Sequence, residues 1–141
     1  MLKKARLILL LSAIFALSVV TFTIWSSTPE KKSKQFIERN ADSFSEFLDS
    51  GPSIPSTWDG QAVDVWHGEH VMYEFILGFG IGDKQYWGVY YSPDDVPLPF
   101  QNTDVPLSPN GDGIWTWQTE EDNHGTTKKI TDKWYYFEAS F

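Results

Sequence analysis

Two histidines close together in the sequence are the first candidates for chemistry. His67 and His70 flank Gly68-Glu69, and a two-residue turn with glycine first would place the two imidazoles opposite each other on a hairpin. Facing imidazoles can share a divalent cation. A third ligand is the difficulty, because Glu74 lies roughly 13 Å along a strand from His70. The alternatives are a metal-assisted site at His67 and His70, or two solvated histidines at a hairpin end.

A second candidate metal site is the glycine-rich segment 108–113 (SPNGDG). Asn110 and Asp112 offer oxygen atoms at alternate positions, as in the first half of a calcium loop. Ser108 replaces the usual first aspartate, Glu120 comes one residue late, and no helices are predicted on either side. Asn110 and Asp112 are therefore calcium candidates, and an ordinary turn is the alternative.

Tryptophan is the residue type with the strongest signal, since the chain has seven. Four of them that lie in predicted strands are candidates for a ligand-binding surface: Trp66, Trp87, Trp115 and Trp117. Exposed indole rings next to carboxylates suit stacking on a sugar ring or anchoring a peptide. The alternative is a tryptophan-rich core that covers both faces of a small sheet.

Covalent catalysis has little support in the sequence. The chain has no cysteine and no G-x-S-x-G motif, which excludes a thiol nucleophile and the usual serine elbow. Paired carboxylates at Asp94-Asp95 and in 120–122 lie in predicted turns, where acidic residues are usually solvated. The sequence favours a protein that is not an enzyme, and it predicts no cofactor.

The charge distribution restricts the class of partner. The net charge is −8, and because three basic and no acidic residues precede residue 26, residues 26–141 carry −11. Such a domain repels phosphate, so nucleic acid is excluded as a partner.

Residues 1–27 are predicted to be a transmembrane anchor. Leu7 to Trp25 is a run of nineteen uncharged residues, and a helix of that length spans roughly 28 Å, close to the bilayer core. Three preceding basic residues orient the N-terminus toward the cytoplasm and residues 28–141 outside. The predicted location is the cell membrane, with a single pass. A cleaved signal peptide ending at Ala16-Leu17-Ser18 is the alternative.

An amphipathic helix is predicted after the anchor. Thr28-Pro29-Glu30 is typical of a helix start, and Gly51-Pro52 ends it. One stripe of this helix is apolar, with residues Phe36, Ile37, Ala41, Phe44, Phe47 and Leu48. Three phenylalanines on one stripe need a partner, and we expect the stripe to pack on a sheet.

A long hairpin over 69–92 is predicted to provide that sheet. Odd positions from Val71 to Ile81 are apolar, which indicates one buried face, and Gly82-Asp83 suits a tight turn. The expected cross-strand pairs are Phe79 with Tyr86, Leu77 with Gly88, and Phe75 with Tyr90. On the reverse face they are Gly78 with Trp87 and Ile76 with Val89. A first strand over 61–67 would place Trp66 opposite Val71 and Asp64 opposite Tyr73.

The remaining segments complete an α+β fold. The proline-rich segment 93–113 is predicted to pack across the surface, and strands are predicted over 114–119, 126–131 and 134–141. The expected domain is one amphipathic helix packed on an antiparallel β-meander of about 5–6 strands, with two packed sheets as the alternative.

Three functions remain open from the sequence. The first is a membrane-anchored extracytoplasmic domain that binds a protein or glycan ligand. The second is a metal-assisted extracytoplasmic enzyme at His67 and His70. The third is a small subunit of a membrane complex.

Overall fold

The computed structural model describes Ser12, Ile14 and residues 28–51, 53–80 and 84–141. Ser33–Phe141 forms one compact unit that contains all the described strands. The predicted anchor Leu7 to Trp25 lies, apart from Ser12 and Ile14, outside the described residues. Within the described residues, no helix combines the length and the apolar character that crossing a bilayer requires.

Helix α1 spans Pro29–Asp49, as the sequence predicted. Lys32 N donates to Thr28 O at 3.1 Å, which is the first helical hydrogen bond. The chain leaves the helix at Gly51, which has a φ of 71° and suits a residue without a β-carbon. The buried residues of α1 form one stripe: Ser33, Phe36, Ile37, Asn40 and Phe44.

The sheet is larger than the predicted five or six strands. A small pair comes first, β1 (Thr57–Trp58) and β2 (Gln61–Ala62). The seven-stranded antiparallel sheet contains β3 (Asp64–His67), β4 (Val71–Phe79), β5 (Gln85–Tyr91), β6 (Ser108–Pro109), β7 (Ile114–Gln118), β8 (His124–Thr131) and β9 (Trp134–Ser140). The spatial order is β3-β4-β5-β9-β8-β7-β6. The α+β class with one helix on an antiparallel sheet is confirmed.

The central hairpin has the predicted strands but only part of the predicted register. Phe79 pairs with Tyr86 and Gly78 pairs with Trp87, as expected. A bulge between Ile76 and Gly78 then shifts the register by one residue, so Phe75 pairs with Val89. The predicted pairs of Leu77, Phe75 and Ile76 are therefore wrong. The predicted turn Gly82-Asp83 lies outside the described residues.

The connection between β3 and β4 also differs from the prediction. His67 pairs with Val71 and Trp66 pairs with Met72, so three residues, not two, connect the strands. The predicted pairing of His67 with His70 is wrong, as are those of Trp66 with Val71 and Asp64 with Tyr73. The shift of one residue places Trp66 on the same face of the sheet as Met72 and Glu74.

Each face of the sheet carries a buried core, and different elements cover the two cores. The first core lies between α1 and one face, and its main members are Phe36, Ile37, Phe44, Val63, Phe75, Val89, Tyr91 and Trp134. The second core lies on the opposite face, beneath the proline-rich segment, with Met72, Tyr90, Leu98, Phe100, Trp117, Tyr135, Phe137 and Ala139. The predicted one-faced hairpin is thus wrong, and Phe79, expected in the core, is 69% exposed.

The proline-rich segment packs across the sheet as predicted, and polar contacts hold it there. Leu98 N donates to Tyr90 Oη at 2.8 Å, and Thr127 Oγ1 donates to Leu98 O at 2.9 Å. Lys133 N donates to Asp95 at 2.8 Å and the Lys129 ammonium also contacts Asp95. Burial acts to raise the pKa of Asp95, but these donors outweigh it and hold the pKa below its usual range.

Candidate binding face

A row of residues crosses five strands on the helix side of the sheet. Each residue pairs directly with the next, in the order Trp87, Glu138, Thr126, Thr116, Ser108. Directly paired residues project to the same face, about 4.8 Å apart from strand to strand. A second row beside it contains Gln85, Ser140, His124 and Gln118. We call these nine residues the open face.

The open face is the half of the sheet that α1 leaves uncovered. The next row toward the helix begins with Phe75 and Val89, which belong to the first core. Glu138, His124, Gln118, Gln85 and Ser108 are exposed, and Trp87, Thr116, Thr126 and Ser140 are half-buried. The surface beside the helix is therefore polar and accessible, with one large aromatic ring at its border.

A cavity of about 420 Å³ borders this face. Its lining residues are Pro106, Ser108, Thr116, Trp117, Gln118, His124, Gly125 and Thr126. Five of these belong to the open face. Trp117 and Gly125 pair with each other and project to the opposite face, and Pro106 belongs to the proline-rich segment, so the cavity also takes in residues from outside the open face.

Trp87 is held against the sheet by a glycine. A β-carbon on Gly78 would lie 2.6 Å from Trp87 Cε2 and 2.8 Å from Trp87 Nε1. The absence of a side chain at Gly78 therefore lets the indole pack directly on strand β4. The predicted packing of Trp87 over Gly78 is confirmed, and the ring stays half-buried beside Glu138.

Two polar side chains of the open face are oriented by neighbours. The Tyr136 hydroxyl donates to Glu138 Oε1, which fixes the position of an exposed carboxylate. His124 Nδ1 lies 2.7 Å from the Asp122 carbonyl oxygen. Because a carbonyl only accepts hydrogen bonds, Nδ1 carries the proton, and Nε2 of the neutral ring is an acceptor.

The four predicted tryptophans do not come together. Trp87 lies on the open face, and Trp117 borders the cavity while its indole packs in the second core. The Trp117 Nε1 hydrogen has no acceptor in the described part of the chain. Trp66 and Trp115 pack against the second core, and Trp66 Nε1 donates to Glu74 at 3.0 Å.

The predicted metal ligands are also separated. His70 Nδ1 lies 2.8 Å from Asp94 Oδ2, and His67 is exposed opposite Val71. Asn110 and Asp112 are exposed in the turn between β6 and β7. Across residues 28–51, 53–80 and 84–141, no three histidine or carboxylate groups come together as a metal site would need. The metal sites at these residues stay predictions.

Sequence reasoning missed most of the open face. Thr116, Thr126 and Glu138 come from three different strands, and only the register across β7, β8 and β9 brings them into one row. A usable signal was present in β7, where Thr116 and Gln118 alternate with Trp115 and Trp117. That alternation indicates one apolar and one polar face.

Comparisons with protein-family models, with curated proteins and with solved structures each found no match. Function therefore has to follow from the geometry of the site.

Proposed function

We propose that the chain is a membrane-tethered extracytoplasmic binding domain whose open face binds a neutral oligosaccharide. The observation that carries this proposal is the row from Trp87 to Ser108, which places one indole, one carboxylate and three hydroxyls on a part of the sheet that α1 does not cover. The tether is the uncharged run Leu7 to Trp25, which the sequence predicts to be a transmembrane anchor.

The residue types of the row match the chemistry of a sugar. The apolar C–H face of a pyranose stacks on an aromatic ring such as Trp87. Sugar hydroxyls donate to a carboxylate such as Glu138, and they exchange hydrogen bonds with threonine hydroxyls, which both donate and accept. The row spans about 19 Å at about 4.8 Å per strand, enough for several sugar units.

The cavity supports a small polar ligand more than a protein surface. Its 420 Å³ volume lies within the roughly 300–1,000 Å³ typical of small-molecule sites. Five of its eight lining residues carry a hydroxyl, amide or imidazole group, and Trp117 is the one large aromatic residue among them. A protein interface would instead have apolar and aromatic anchors at its centre.

Charge favours a neutral sugar over an acidic one. Residues 26–141 carry a net charge of −11, which repels polyanions at a distance. Glu138 lies within the row itself and would add local repulsion against a carboxylated or sulfated sugar.

The proposal is tested by binding the full-length chain, in detergent micelles, to a microarray of neutral and acidic oligosaccharides. We expect binding to neutral members only. Thr116→Val keeps the shape of the cavity but removes a hydroxyl, so we expect a loss of about 3–10-fold in affinity. Thr57→Val, on the separate β1–β2 pair, is the matched control and should bind as the wild type does. Absence of binding to every oligosaccharide, or equal binding by wild type and Thr116→Val, contradicts the proposal.

A further inference from the structure

Glu74 is a carboxyl group that the core encloses completely. It lies in β4 with 0% of its surface exposed, beneath the proline-rich segment. Its Oε2 accepts from Trp66 Nε1 at 3.0 Å, and its Oε1 accepts from Gln101 N at 3.2 Å. One side chain thus connects β3, β4 and the short turn at Phe100–Asn102.

The turn that Glu74 holds has an unfavourable backbone. Gln101 has a φ of 54° and Asn102 a φ of 51°, in the left-handed region that residues with a β-carbon rarely adopt. Contacts with the rest of the chain must therefore hold the turn in place. Besides the bond to Glu74, Asn102 Nδ2 donates to His70 O at 2.8 Å.

The surroundings of Glu74 oppose its negative charge. Both hydrogen-bond donors are neutral groups. Among the described residues that face it, Asp64 pairs with it from β3 and Tyr90 pairs with it from β5, and Tyr135 of β9 stacks on Tyr90. The His70 carbonyl oxygen accepts from Asn102 in the turn, and the His70 imidazole contacts Asp94. No cation in the described part of the chain contacts the Glu74 carboxyl.

Burial outweighs the two hydrogen bonds in setting the protonation of Glu74. Removal from water is the largest effect and raises the pKa of Glu74 to about 7, although the bonds from Gln101 and Trp66 lower it. The exposed Asp64 carboxylate raises this pKa further.

We propose that Glu74 is a proton-dependent latch for the turn at Phe100–Asn102. While the carboxyl is protonated, the turn stays docked on the sheet; ionisation favours its release. The direction follows from linkage: the docked turn keeps Glu74 out of water, so the docked state binds the proton more tightly than the released state. Rising pH therefore favours release. The docking equilibrium changes between pH 4.5, which is the ordinary pKa of the carboxyl, and a pH of about 7, which is its pKa in the docked state.

Release of the turn would expose aromatic surface. Phe100 stacks on Tyr86 with ring centroids 5.9 Å apart, and its ring lies 5.3 Å from Phe137 and 5.4 Å from Phe141. Phe141 and Phe79 are already exposed. Undocking would therefore extend an exposed aromatic patch at this end of the sheet.

The latch is tested by amide hydrogen exchange of the full-length chain, followed at the Gln101 N–H by NMR. We expect its protection factor to fall roughly 70-fold between pH 5 and pH 8, as linkage requires for the two proton affinities. Glu74→Gln keeps the size of the side chain without the titration, so its protection should not depend on pH. His70→Gln is the matched control, because it replaces the imidazole but keeps the backbone carbonyl that accepts from Asn102, and it should keep the wild-type dependence.

Two results would overturn the latch. One is a Gln101 protection factor that is the same at pH 5 and pH 8 in the wild type; the other is an equal pH dependence in Glu74→Gln. If Glu74→Gln does not fold, the ¹³C resonance of the Glu74 carboxyl in the wild type decides. A titration midpoint near 7 supports the latch, and a midpoint near 4.5 rules it out.

Discussion

Asn40 is a polar residue in the middle of the apolar stripe of α1. It is 5% exposed, and its Nδ2 donates to Phe36 O at 2.8 Å and to Asp59 Oδ2 at 3.0 Å. Its Oδ1 accepts from Trp58 Nε1 at 2.9 Å. One amide thus accepts from the half-buried indole of Trp58 and contacts the turn at Asp59, where hydrogen bonds from Asn40 and Arg39 lower the pKa of the carboxyl.

At the residue scale, we predict that Asn40→Ala destabilises the fold. The substitution leaves the half-buried Trp58 N–H and Phe36 O without their partner on Asn40, which costs about 1–3 kcal/mol. Urea denaturation at pH 7 measures the change. Ser43→Ala, on the exposed side of the same helix, is the matched control and should change stability by less than about 0.5 kcal/mol. Equal stability of the two variants would show that the Asn40 hydrogen bonds make no net contribution to the free energy of unfolding.

At the scale of elements, the central hairpin depends on the contact between Gly78 and Trp87. The bulge next to Gly78 sets the register in which Gly78 faces Trp87, and the missing β-carbon lets the indole lie on the strand. The position of the candidate sugar-stacking ring is therefore fixed by a glycine on the neighbouring strand.

We predict that Gly78→Ala costs about 1–3 kcal/mol in the wild type, because the new methyl group overlaps the Trp87 ring. In a Trp87→Ala background the overlap is gone, and alanine is better than glycine in a strand by about 0.5–1 kcal/mol. The substitution should then be neutral or stabilising. A double-mutant cycle by thermal or urea unfolding measures the coupling. The same cost in both backgrounds would contradict the packing described for this hairpin.

The elements that the sequence predicted are those with local signals. Helix α1 follows from a capping residue, a 3.6-residue period and a terminal glycine, and the β4–β5 hairpin follows from alternation. The bulge near Leu77 and the three-residue connection at 68–70 were missed, because either register leaves an alternating pattern along the strand. The hydrogen bond from Trp66 to Glu74 depends on that missed shift at 68–70, because only the observed register places the two side chains on one face.

The candidate site was predicted only at Trp87. The other members of the row come from β6 to β9, and the pairing of β9 with β5 is a long-range contact that no local pattern specifies. The coverage of one face by a helix and of the other by a proline-rich segment also depends on tertiary packing. A sequence pattern can show that a strand has a polar face, but not that five such faces align.

At the scale of the whole domain, the seven-stranded sheet is wider than the surface that α1 covers. The first core takes in β3, β4, β5 and one end of β9, with Ile130 of β8 at its margin. The proline-rich segment covers the opposite face instead of the remaining half of this one. The half that α1 does not cover is polar, acidic at Glu138 and bordered by Trp87, and it contributes five of the eight residues that line the cavity. These features together are the basis of the proposed oligosaccharide-binding function.

The most direct test of that function compares two tryptophans that differ mainly in the face they occupy. Trp87 lies on the open face, and Trp115, equally half-buried, packs on the other face. The measurement is the affinity of the full-length Trp87→Ala and Trp115→Ala variants for the neutral oligosaccharide that binds the wild type best. We predict at least about a tenfold loss for Trp87→Ala, as for an aromatic anchor, and an affinity within about twofold of wild type for Trp115→Ala. Loss of binding in Trp115→Ala with full binding in Trp87→Ala would contradict the assignment of the ligand to the open face.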